Sequence, residues 1–278
     1  MAQLLQSLEQ VAARYDAIVF DQWGVLHNGA EPYPKAVDCL KALSQSGHRL
    51  AVLSNSGKRA APNRDRIADM GFAPELFASV MTSGEALWQD FARGRMDAGP
   101  FYAIGRSAGD AASWAEGLSV AFAPLKDARA VLLMGLPDGS TLEDWSDDIR
   151  EIAARGLPVY CSNPDRKSPR AGDVTVISPG ALAYAIRDAG GAVTFYGKPH
   201  LPVFTALQAD LGASKLLMVG DSLEHDIAGG SAAGWDTALV KGGLYAQAFS
   251  GGEDAAVLQD LTHAHAAPHP TFLIEDVR

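Results

Sequence analysis

The stretch LLMVGDSLEHDIAGG, residues 216–230, decides the fold class. It opens with a continuous apolar run, which predicts a strand that is buried within a parallel sheet. Asp221 ends that strand, and Asp226 stands five residues further along, where a helical pattern begins. In open α/β sheets, ligands bind beyond the carboxyl ends of the strands. The stretch therefore predicts that Asp221 lies at a ligand-binding edge of the sheet.

Further apolar runs repeat this arrangement and are separated by helical patterns such as PKAVDCLKALSQSG, residues 34–47. Strands that alternate with helices indicate βαβ units, so we predict an α/β fold with a doubly wound parallel-sheet core. The candidate strands are AIVF (17–20), HRLAVLSNSG (48–57), FYAIG (101–105), AVLLMG (130–135), LPVYCSN (157–163), VTFYGKPH (193–200), KLLMVGDS (215–222) and TALV (237–240).

The positions of the polar residues at strand ends suggest two domains. These residues cluster early and late in the chain, whereas the middle has a strand and helix alternation of its own. We therefore predict a core formed by residues 1–82 and 182–278. Residues 83–181 are predicted to form an α/β cap domain inserted into that core.

Composition excludes several classes of function. The 278 residues are 47% hydrophobic, which is enough for a packed core, and the net charge of -10 argues against a nucleic-acid partner. Cys39 and Cys161 are the only cysteines, so no disulfide framework is implied. Residues 1–16 have an amphipathic helical pattern rather than that of a secretory signal, and no apolar stretch reaches the roughly 18 residues of a membrane span. We expect a cytoplasmic protein without a membrane partner, and the oligomeric state stays open, with a homodimer as one option.

Two polar motifs follow strands in the first part of the chain. Asp21 follows AIVF, and Gly24 allows a sharp turn directly afterwards. Such a carboxylate is either a reactive group or a structural cap for the loop. Ser54, Asn55 and Ser56 follow the next strand, where a hydroxyl and backbone amides can bind phosphate. The alternative for these three residues is a helix N-cap.

Two further motifs follow strands in the last part of the chain. Lys198 comes before a proline at a strand end, where it can neutralise phosphate if carboxylates surround it. Asp221, Glu224 and Asp226 would repel one another without a cation, and their oxygens suit Mg²⁺. The alternative for this acidic stretch is a loop followed by a helix cap at Asp226.

In chain order, these motifs resemble the four motifs of the haloacid dehalogenase superfamily, whose hydrolases use an aspartate as nucleophile. Three stretches resemble its class IIA branch in particular, which includes nitrophenylphosphatase-like and nucleotide phosphatase-like proteins. The motifs bracket nearly the whole chain. The four motifs are DQWGV (21–25), SNS (54–56), the lysine of GKPH (197–200) and GDSLEHD (220–226), and the class IIA stretches are GVLHNG (24–29), GKPH and SNPD (162–165).

The resemblance implies a Mg²⁺-dependent phosphatase that acts on a small phosphorylated metabolite through an aspartyl-phosphate. Asp21 would be the nucleophile, and Ser54 and Lys198 would hold the transferring phosphoryl group. Asn163 and Asp165 of the cap would contact the substrate, although an Asn-Pro-Asp turn is the structural alternative for them. The implied phosphate-binding set is Ser54, Asn55, Ser56 and Lys198, and the implied Mg²⁺ ligands are Asp21, the backbone carbonyl of Trp23, Asp221 and Asp226.

Trp23 departs from the pattern that the resemblance implies. The phosphatases of the superfamily carry an aspartate two residues after the nucleophile, where it protonates the leaving oxygen and then activates water. An indole N–H only donates and does not titrate. General acid/base catalysis is worth roughly 10²–10⁴ in rate, so alkyl phosphates are expected to be poor substrates. His27 is the nearest replacement in sequence, followed by Glu224 and His225.

Three alternatives to the phosphatase are compatible with some of the same residues. Dehalogenases also carry an aromatic residue at this position, but their fourth motif lacks the metal-binding pattern that Asp221 and Asp226 keep. A phosphonate-cleaving enzyme would need a cap lysine such as Lys126 or Lys167 to form a Schiff base. A regulatory protein would bind phosphate with little turnover, and there Trp23 would stack on an aromatic ligand or fill space in the core. Of those two roles, filling the core is the expected one.

Overall fold

The chain alternates strands with helices, and the computed structural model describes residues 2–96, 99–169 and 175–277. This alternation confirms the predicted α/β fold class. The strands are β1 (Gln3–Leu5), β2 (Ala17–Phe20), β3 (Leu50–Ser54), β4 (Phe77–Thr82), β5 (Phe101–Ile104), β6 (Ala130–Leu133), β7 (Val159–Cys161), β8 (Lys167–Pro169), β9 (Thr175–Ile177), β10 (Val193–Phe195), β11 (Leu216–Gly220), β12 (Asp236–Val240) and β13 (Phe272–Ile274). The helices are α1 (Glu9–Ala12), α2 (Ala36–Gln45), α3 (Ala60–Asp69), α4 (Ser83–Ala92), α5 (Asp110–Trp114), α6 (Ser146–Ala154), α7 (Pro179–Asp188), α8 (Leu201–Leu211), α9 (Ala228–Ala232), α10 (Ala246–Phe249) and α11 (Asp254–Ala264).

The first sheet has seven strands in the order β1-β13-β12-β11-β2-β3-β4. The chain runs outward from β2 through β3 to β4, and later outward again from β11 through β12 to β13. Strands β2 and β11 are therefore neighbours where the direction of winding reverses, and they pair in parallel with Phe20 opposite Val219. Ligand sites in doubly wound sheets lie at this switch point.

Apolar side chains cover both faces of the first sheet. Along β12, Ala238 and Val240 belong to one buried cluster, while Leu239 between them belongs to another. This alternation follows from the two-residue period of a strand. Burial on both faces explains why β2, β11 and β12 are continuous apolar runs in the sequence.

The chain divides into two compact units. The first consists of Met1–Ser54, Ala61–Met81 and Lys198–Arg278, and the second consists of Asn55–Ala60 and Thr82–Gly197. Met1 and Arg278, at the ends of the predicted core, lie outside the described residues.

The second unit contains a parallel sheet in the order β10-β7-β6-β5 and the antiparallel pair β8-β9. Its end differs from the predicted boundary at residue 181. Helix α7 packs on α6, and β10 pairs with β7 through Phe195 and Cys161, so the unit continues to Gly197. The return to the first unit thus coincides with Lys198.

The amino terminus differs from the helix that its pattern indicates. Residues Gln3–Leu5 form β1, which pairs in parallel with β13, and α1 is a single turn. Edge pairing with β13 buries Leu5 next to Ile274 and overrides the helical periodicity. Within the described ranges, no helix is both long and apolar enough to cross a membrane. Both cysteines are buried and free.

Candidate active site

Two carboxylates leave the first sheet side by side at the switch point. Asp21 directly follows β2, and Asp221 directly follows the neighbouring strand β11. The backbone N–H of Asp21 donates to the carbonyl oxygen of Val219 at 2.9 Å, which continues the ladder to the last residue. Strand pairing alone therefore brings these two side chains to the same edge.

Asp226 completes a group of three carboxylates. It lies in the π-helical turn Leu223–Ile227, and its side chain is only 1% exposed. Carboxylate oxygens of Asp21, Asp221 and Asp226 all lie within 4.8 Å of one another. Among the described residues, this is the group of acidic, histidine or cysteine side chains close enough to hold a metal ion.

Lys198 connects two of these carboxylates. Its Nζ donates to Oδ1 of Asp21 and to Oδ1 of Asp226, both at 2.6 Å. The lysine side chain is 4% exposed, so both ion pairs are shielded from water. The structure thus brings together four of the residues that the sequence motifs singled out.

Backbone groups hold the carboxylates in place. Oδ2 of Asp221 accepts from the N–H of Leu244 at 2.9 Å, and Oδ2 of Asp226 accepts from the N–H of Ser222 at 3.0 Å. Gly24 has φ +84°, and a Cβ there would lie 1.9 Å from Oδ2 of Asp221. Only glycine at position 24 therefore permits the observed position of this carboxylate.

The cluster carries more negative charge than Lys198 can balance. Burial raises the pKa of Asp221 to about 8, and the charges of Asp21 and Asp226 add to this effect. Burial also raises the pKa of Asp21, although attraction by Lys198 opposes the rise and repulsion by Asp226 adds to it. For Lys198, burial alone would lower the pKa, but the charges of Asp21 and Asp226 outweigh it and raise the value.

These residues fit a divalent cation. Three carboxylates and one ammonium leave a buried excess of negative charge, and a divalent ion beside Asp21 and Asp221 would offset it. The donor set consists of oxygen atoms, which suits Mg²⁺. The geometry therefore supports a metal site at the carboxyl ends of β2 and β11.

Trp23 does not fill the core, so the expectation that it does is wrong. The residue is 50% exposed. Its indole lies against Gly29, where a Cβ would lie 2.7 Å from Nε1 of Trp23. The short loop that starts at Asp21 folds back on itself, since Gly24 N–H donates to the carbonyl of His27 at 2.9 Å. This tight return turns the side chain at position 23 outward.

His27 is poorly suited to replace the missing acid. Its Nδ1 accepts from the N–H of Gly29 at 3.1 Å, so the neutral ring carries its proton on the buried Nε2. Burial, with a contribution from Arg66, lowers the pKa of His27 to about 4 against the attraction of Asp21. The ring is therefore uncharged at neutral pH and has no proton to release as an imidazolium.

The other proposed replacements lie on the π-helical turn. Glu224 is 60% exposed and pairs with His265 at 3.3 Å. His225 donates its backbone N–H to Oγ of Ser222 at 3.2 Å. Neither of these contacts brings the side chain of Glu224 or His225 towards Asp21.

The predicted phosphate-binding residues divide between the two units. Ser54 ends β3, which is next to β2, and therefore lies at the same edge of the first sheet as Asp21. Asn55 and Ser56 belong to the second unit. Ser56 Oγ accepts from the N–H of Lys58 at 3.3 Å, as a turn-forming serine does.

Asn163 and Asp165 form an Asn-Pro-Asp turn, which the sequence offered as the structural alternative to a role in substrate binding. Oδ1 of Asn163 accepts from the N–H of Asp165 at 2.9 Å, and Oδ1 of Asp165 accepts from Nδ2 of Asn55 at 2.7 Å. Gly197 packs closely on this turn, since a Cβ there would lie 2.2 Å from Cδ of Pro164. These contacts lie within the second unit, and a substrate-binding role for the two residues stays a prediction.

Sequence reasoning missed Gly243 and Leu244, which follow β12. A Cβ at Gly243 would lie 2.4 Å from Cβ of Asp221 and 2.8 Å from the carbonyl oxygen of Gly24. The signal in the sequence is the pair of glycines, Gly242 and Gly243, which follow an apolar strand after one intervening residue, Lys241. Such pairs permit close backbone approach to a site.

The lysines required for phosphonate cleavage lie in unfavourable surroundings. Lys126 and Lys167 are both exposed. A lysine that forms a Schiff base is normally activated by desolvation or by a neighbouring cation. Exposure of both side chains argues against that alternative.

Replacing Lys198 by methionine tests the electrostatic account of the cluster. Lys198→Met leaves two buried carboxylates without their cation, so we expect a loss of about 3–5 kcal/mol in the free energy of unfolding. The measurement is urea denaturation without divalent cations.

Lys241→Met is the matched control for that experiment. Lys241 also contacts two carboxylates, Asp254 at 2.9 Å and Glu275 at 2.7 Å, but these are 34% and 53% exposed. Its loss is expected to cost about 1 kcal/mol or less. Equal destabilisation by the two substitutions would contradict the account.

Comparisons with known proteins agree on one family. A family model described as haloacid dehalogenase-like hydrolase matches residues 18–117, and one described as HAD-hydrolase-like matches residues 195–278. Chronophin from Rattus norvegicus is 29% identical over 248 residues, which covers 86% of this chain and 80% of that protein. Human glycerol-3-phosphate phosphatase is 27% identical over 263 residues, which covers 85% of this chain and 82% of that protein.

A solved structure shows the same fold over the whole chain. The haloacid dehalogenase-like hydrolase from Brucella suis 1330 superposes with a TM-score of 0.80 at 26% identity. The superposition covers 99% of this chain and 100% of that one.

Proposed function

The chain belongs to the class IIA branch of the haloacid dehalogenase-like hydrolases, and we propose that it is a phosphatase for small phosphorylated metabolites. One observation carries the proposal: Asp21, Asp221 and Asp226 converge within 4.8 Å, and Lys198 bridges two of them. The phosphatase name of the human relative supports the same reaction class.

We assign Asp21 as the nucleophile. Its carboxylate attacks phosphorus, an oxygen–phosphorus bond forms, and the bond to the leaving group breaks with its electron pair going to that group. Water then attacks the same phosphorus, which releases phosphate and restores the carboxylate. Lys198 keeps Asp21 ionised and oriented, because its ammonium holds Oδ1 at 2.6 Å.

Asp21, Asp221, the backbone carbonyl of Trp23 and Asp226 would hold Mg²⁺. When bound, the ion supplies positive charge to the oxygens of the transferring phosphoryl group. Leu244 and Ser222 orient Asp221 and Asp226 through their backbone N–H groups, so the ligands need little rearrangement. Ser54 and Lys198 are assigned to the phosphoryl group as well, with Asn55 and Ser56 in support.

The second unit is proposed as the cap domain that selects the substrate. Asn163 and Asp165 are its proposed substrate contacts. The cytoplasmic location stays a prediction, as does the homodimer that the sequence left as one option. A phosphate-binding protein with little turnover would need no buried nucleophile with its own lysine, so retention of Asp21 and Lys198 favours catalysis.

The leaving group departs without a proton, because the indole N–H of Trp23 does not titrate and so transfers none. The substrates best suited to this site are therefore activated phosphates, such as acyl and aryl phosphates. The alkyl substrate in the name of the human relative does not carry over to this chain for the same reason.

Asp21→Asn tests the nucleophile. We expect no turnover of acetyl phosphate or p-nitrophenyl phosphate, since an amide oxygen does not form the covalent intermediate. The control is Asp236→Asn, at the start of β12 and thus at the opposite edge of the sheet, where the side chain accepts from Tyr15. Activity retained in Asp21→Asn would contradict the assignment.

Leaving-group dependence tests the absence of a general acid. With Mg²⁺ present, kcat/KM is expected to fall as the pKa of the leaving group rises. Alkyl phosphates should be slower than activated ones by at least roughly 10²–10⁴. Equal rates across the series would indicate a replacement acid and contradict the account.

Gly24→Ala tests the metal site without changing any ligand. The new Cβ would collide with Asp221, so Mg²⁺ affinity in a calorimetric titration is expected to fall roughly 10–100-fold. Gly47→Ala is the control, because Gly47 has φ +83° but nothing within 4 Å of the added carbon. Both variants incur the cost of about 1–2 kcal/mol for a left-handed residue. Equal Mg²⁺ affinity in the two variants would contradict the proposed site.

A further inference from the structure

Two large apolar side chains remain exposed beside the acidic cluster. Trp23 is 50% exposed and stands two residues after Asp21. Leu244 is 59% exposed, and its own N–H donates to Oδ2 of Asp221 at 2.9 Å. Both residues therefore follow the carboxyl ends of core strands, β2 for Trp23 and β12 for Leu244, at the edge where the proposed reaction takes place.

The two side chains project from backbone segments that touch each other. A Cβ at Gly243 would lie 2.8 Å from the carbonyl oxygen of Gly24. Trp23 directly precedes Gly24, and Leu244 directly follows Gly243. Trp23 and Leu244 thus flank one point of backbone contact, and the carboxylate of Asp221 lies beside that point.

The loop holds the indole in a defined position. Gly29 lies against Nε1 of Trp23. Both the N–H and the carbonyl group of Gly29 make hydrogen bonds that hold it in place. Its N–H donates to Nδ1 of His27 at 3.1 Å, and its carbonyl accepts from Nη2 of Arg66 at 3.0 Å. A supported indole that stays half exposed offers a flat apolar surface with little conformational entropy to lose on binding.

From these contacts we infer that Trp23 and Leu244 form an apolar subsite for the leaving group of the substrate. The inference rests on the proposed phosphatase function and names its substrate class, which is an acyl phosphate with an aromatic body. Position 23 has no residue that can transfer a proton, and in this subsite it contacts a leaving group that departs without one. An aromatic carboxylate leaves as a stable anion, and its ring packs on the indole and the leucine.

Benzoyl phosphate and acetyl phosphate form the discriminating pair of substrates, because their carboxylate leaving groups have similar acidity and differ mainly in the ring. With Mg²⁺ present, the unmodified protein is expected to use benzoyl phosphate with a kcat/KM about tenfold higher, mainly through KM, as one aromatic contact provides.

The variants assign this preference to the two side chains. Trp23→Ala and Leu244→Ala are each expected to raise KM for benzoyl phosphate several-fold more than KM for acetyl phosphate, whereas Trp23→Phe keeps the preference. Leu4→Ala is the control, since Leu4 is 51% exposed but lies on the edge strand β1. Leu4→Ala is expected to leave KM unchanged for both substrates.

Two outcomes would overturn the inference in distinguishable ways. Turnover of both substrates with equal kcat/KM, or an equal loss for both in the alanine variants, overturns the subsite and leaves the phosphatase standing. No turnover of either substrate overturns the phosphatase proposal, and the subsite with it.

Discussion

The ion pairs of Lys198 with Asp21 and Asp226 are the contacts on which the arrangement of the site depends. Three carboxylates within 4.8 Å of one another, two of them buried and one partly buried, are mutually repulsive, and one ammonium at 2.6 Å from two of them offsets only part of that repulsion. Burial raises the pKa of both Asp21 and Asp221, and repulsion by the neighbouring carboxylates adds to the rise. A site of this kind is unfavourable as a purely structural feature and favourable as a cation site, which is why its electrostatics indicate its chemistry.

The fold makes this concentration of charge possible. Strands β2 and β11 are adjacent only because the sheet is wound in both directions from its middle. Residues that are 200 positions apart in sequence, Asp21 and Asp221, therefore follow neighbouring strands. The seven-stranded core, rather than local loop structure, brings Asp21 and Asp221 to neighbouring positions.

Much of this arrangement could be predicted from sequence, for identifiable reasons. The buried strands β2, β3 and β11 are mostly apolar runs in the sequence, and Asp21 and Asp221 directly follow β2 and β11. Strand β1 could not be predicted, because only its pairing with β13 selects a strand over a helix. Leu244 was missed because it contributes a backbone N–H, which any residue type can supply. The exposure of Trp23 was predicted wrongly, since large aromatic residues are usually buried and the supporting contact with Gly29 depends on the loop geometry.

In the proposed mechanism, the tryptophan at position 23 separates phosphate binding from proton transfer. The proposed nucleophile Asp21, Lys198 and the proposed acidic ligands lie together, whereas position 23 carries an exposed indole. On the proposed mechanism, alkyl phosphates are poor substrates. Activated phosphates are good substrates, because their leaving groups depart without general acid catalysis.

Direct detection of phosphate on Asp21 tests whether this residue is the nucleophile. The protein is mixed with acetyl phosphate and Mg²⁺, quenched in acid within the first turnover, digested and analysed by mass spectrometry. If Asp21 is the nucleophile, we expect a phosphorylated peptide that contains residue 21, and we expect this peptide to be absent in Asp21→Asn and when the divalent cation is chelated. Turnover of acetyl phosphate with no phosphate on this peptide, or with phosphate on another residue, would contradict this assignment.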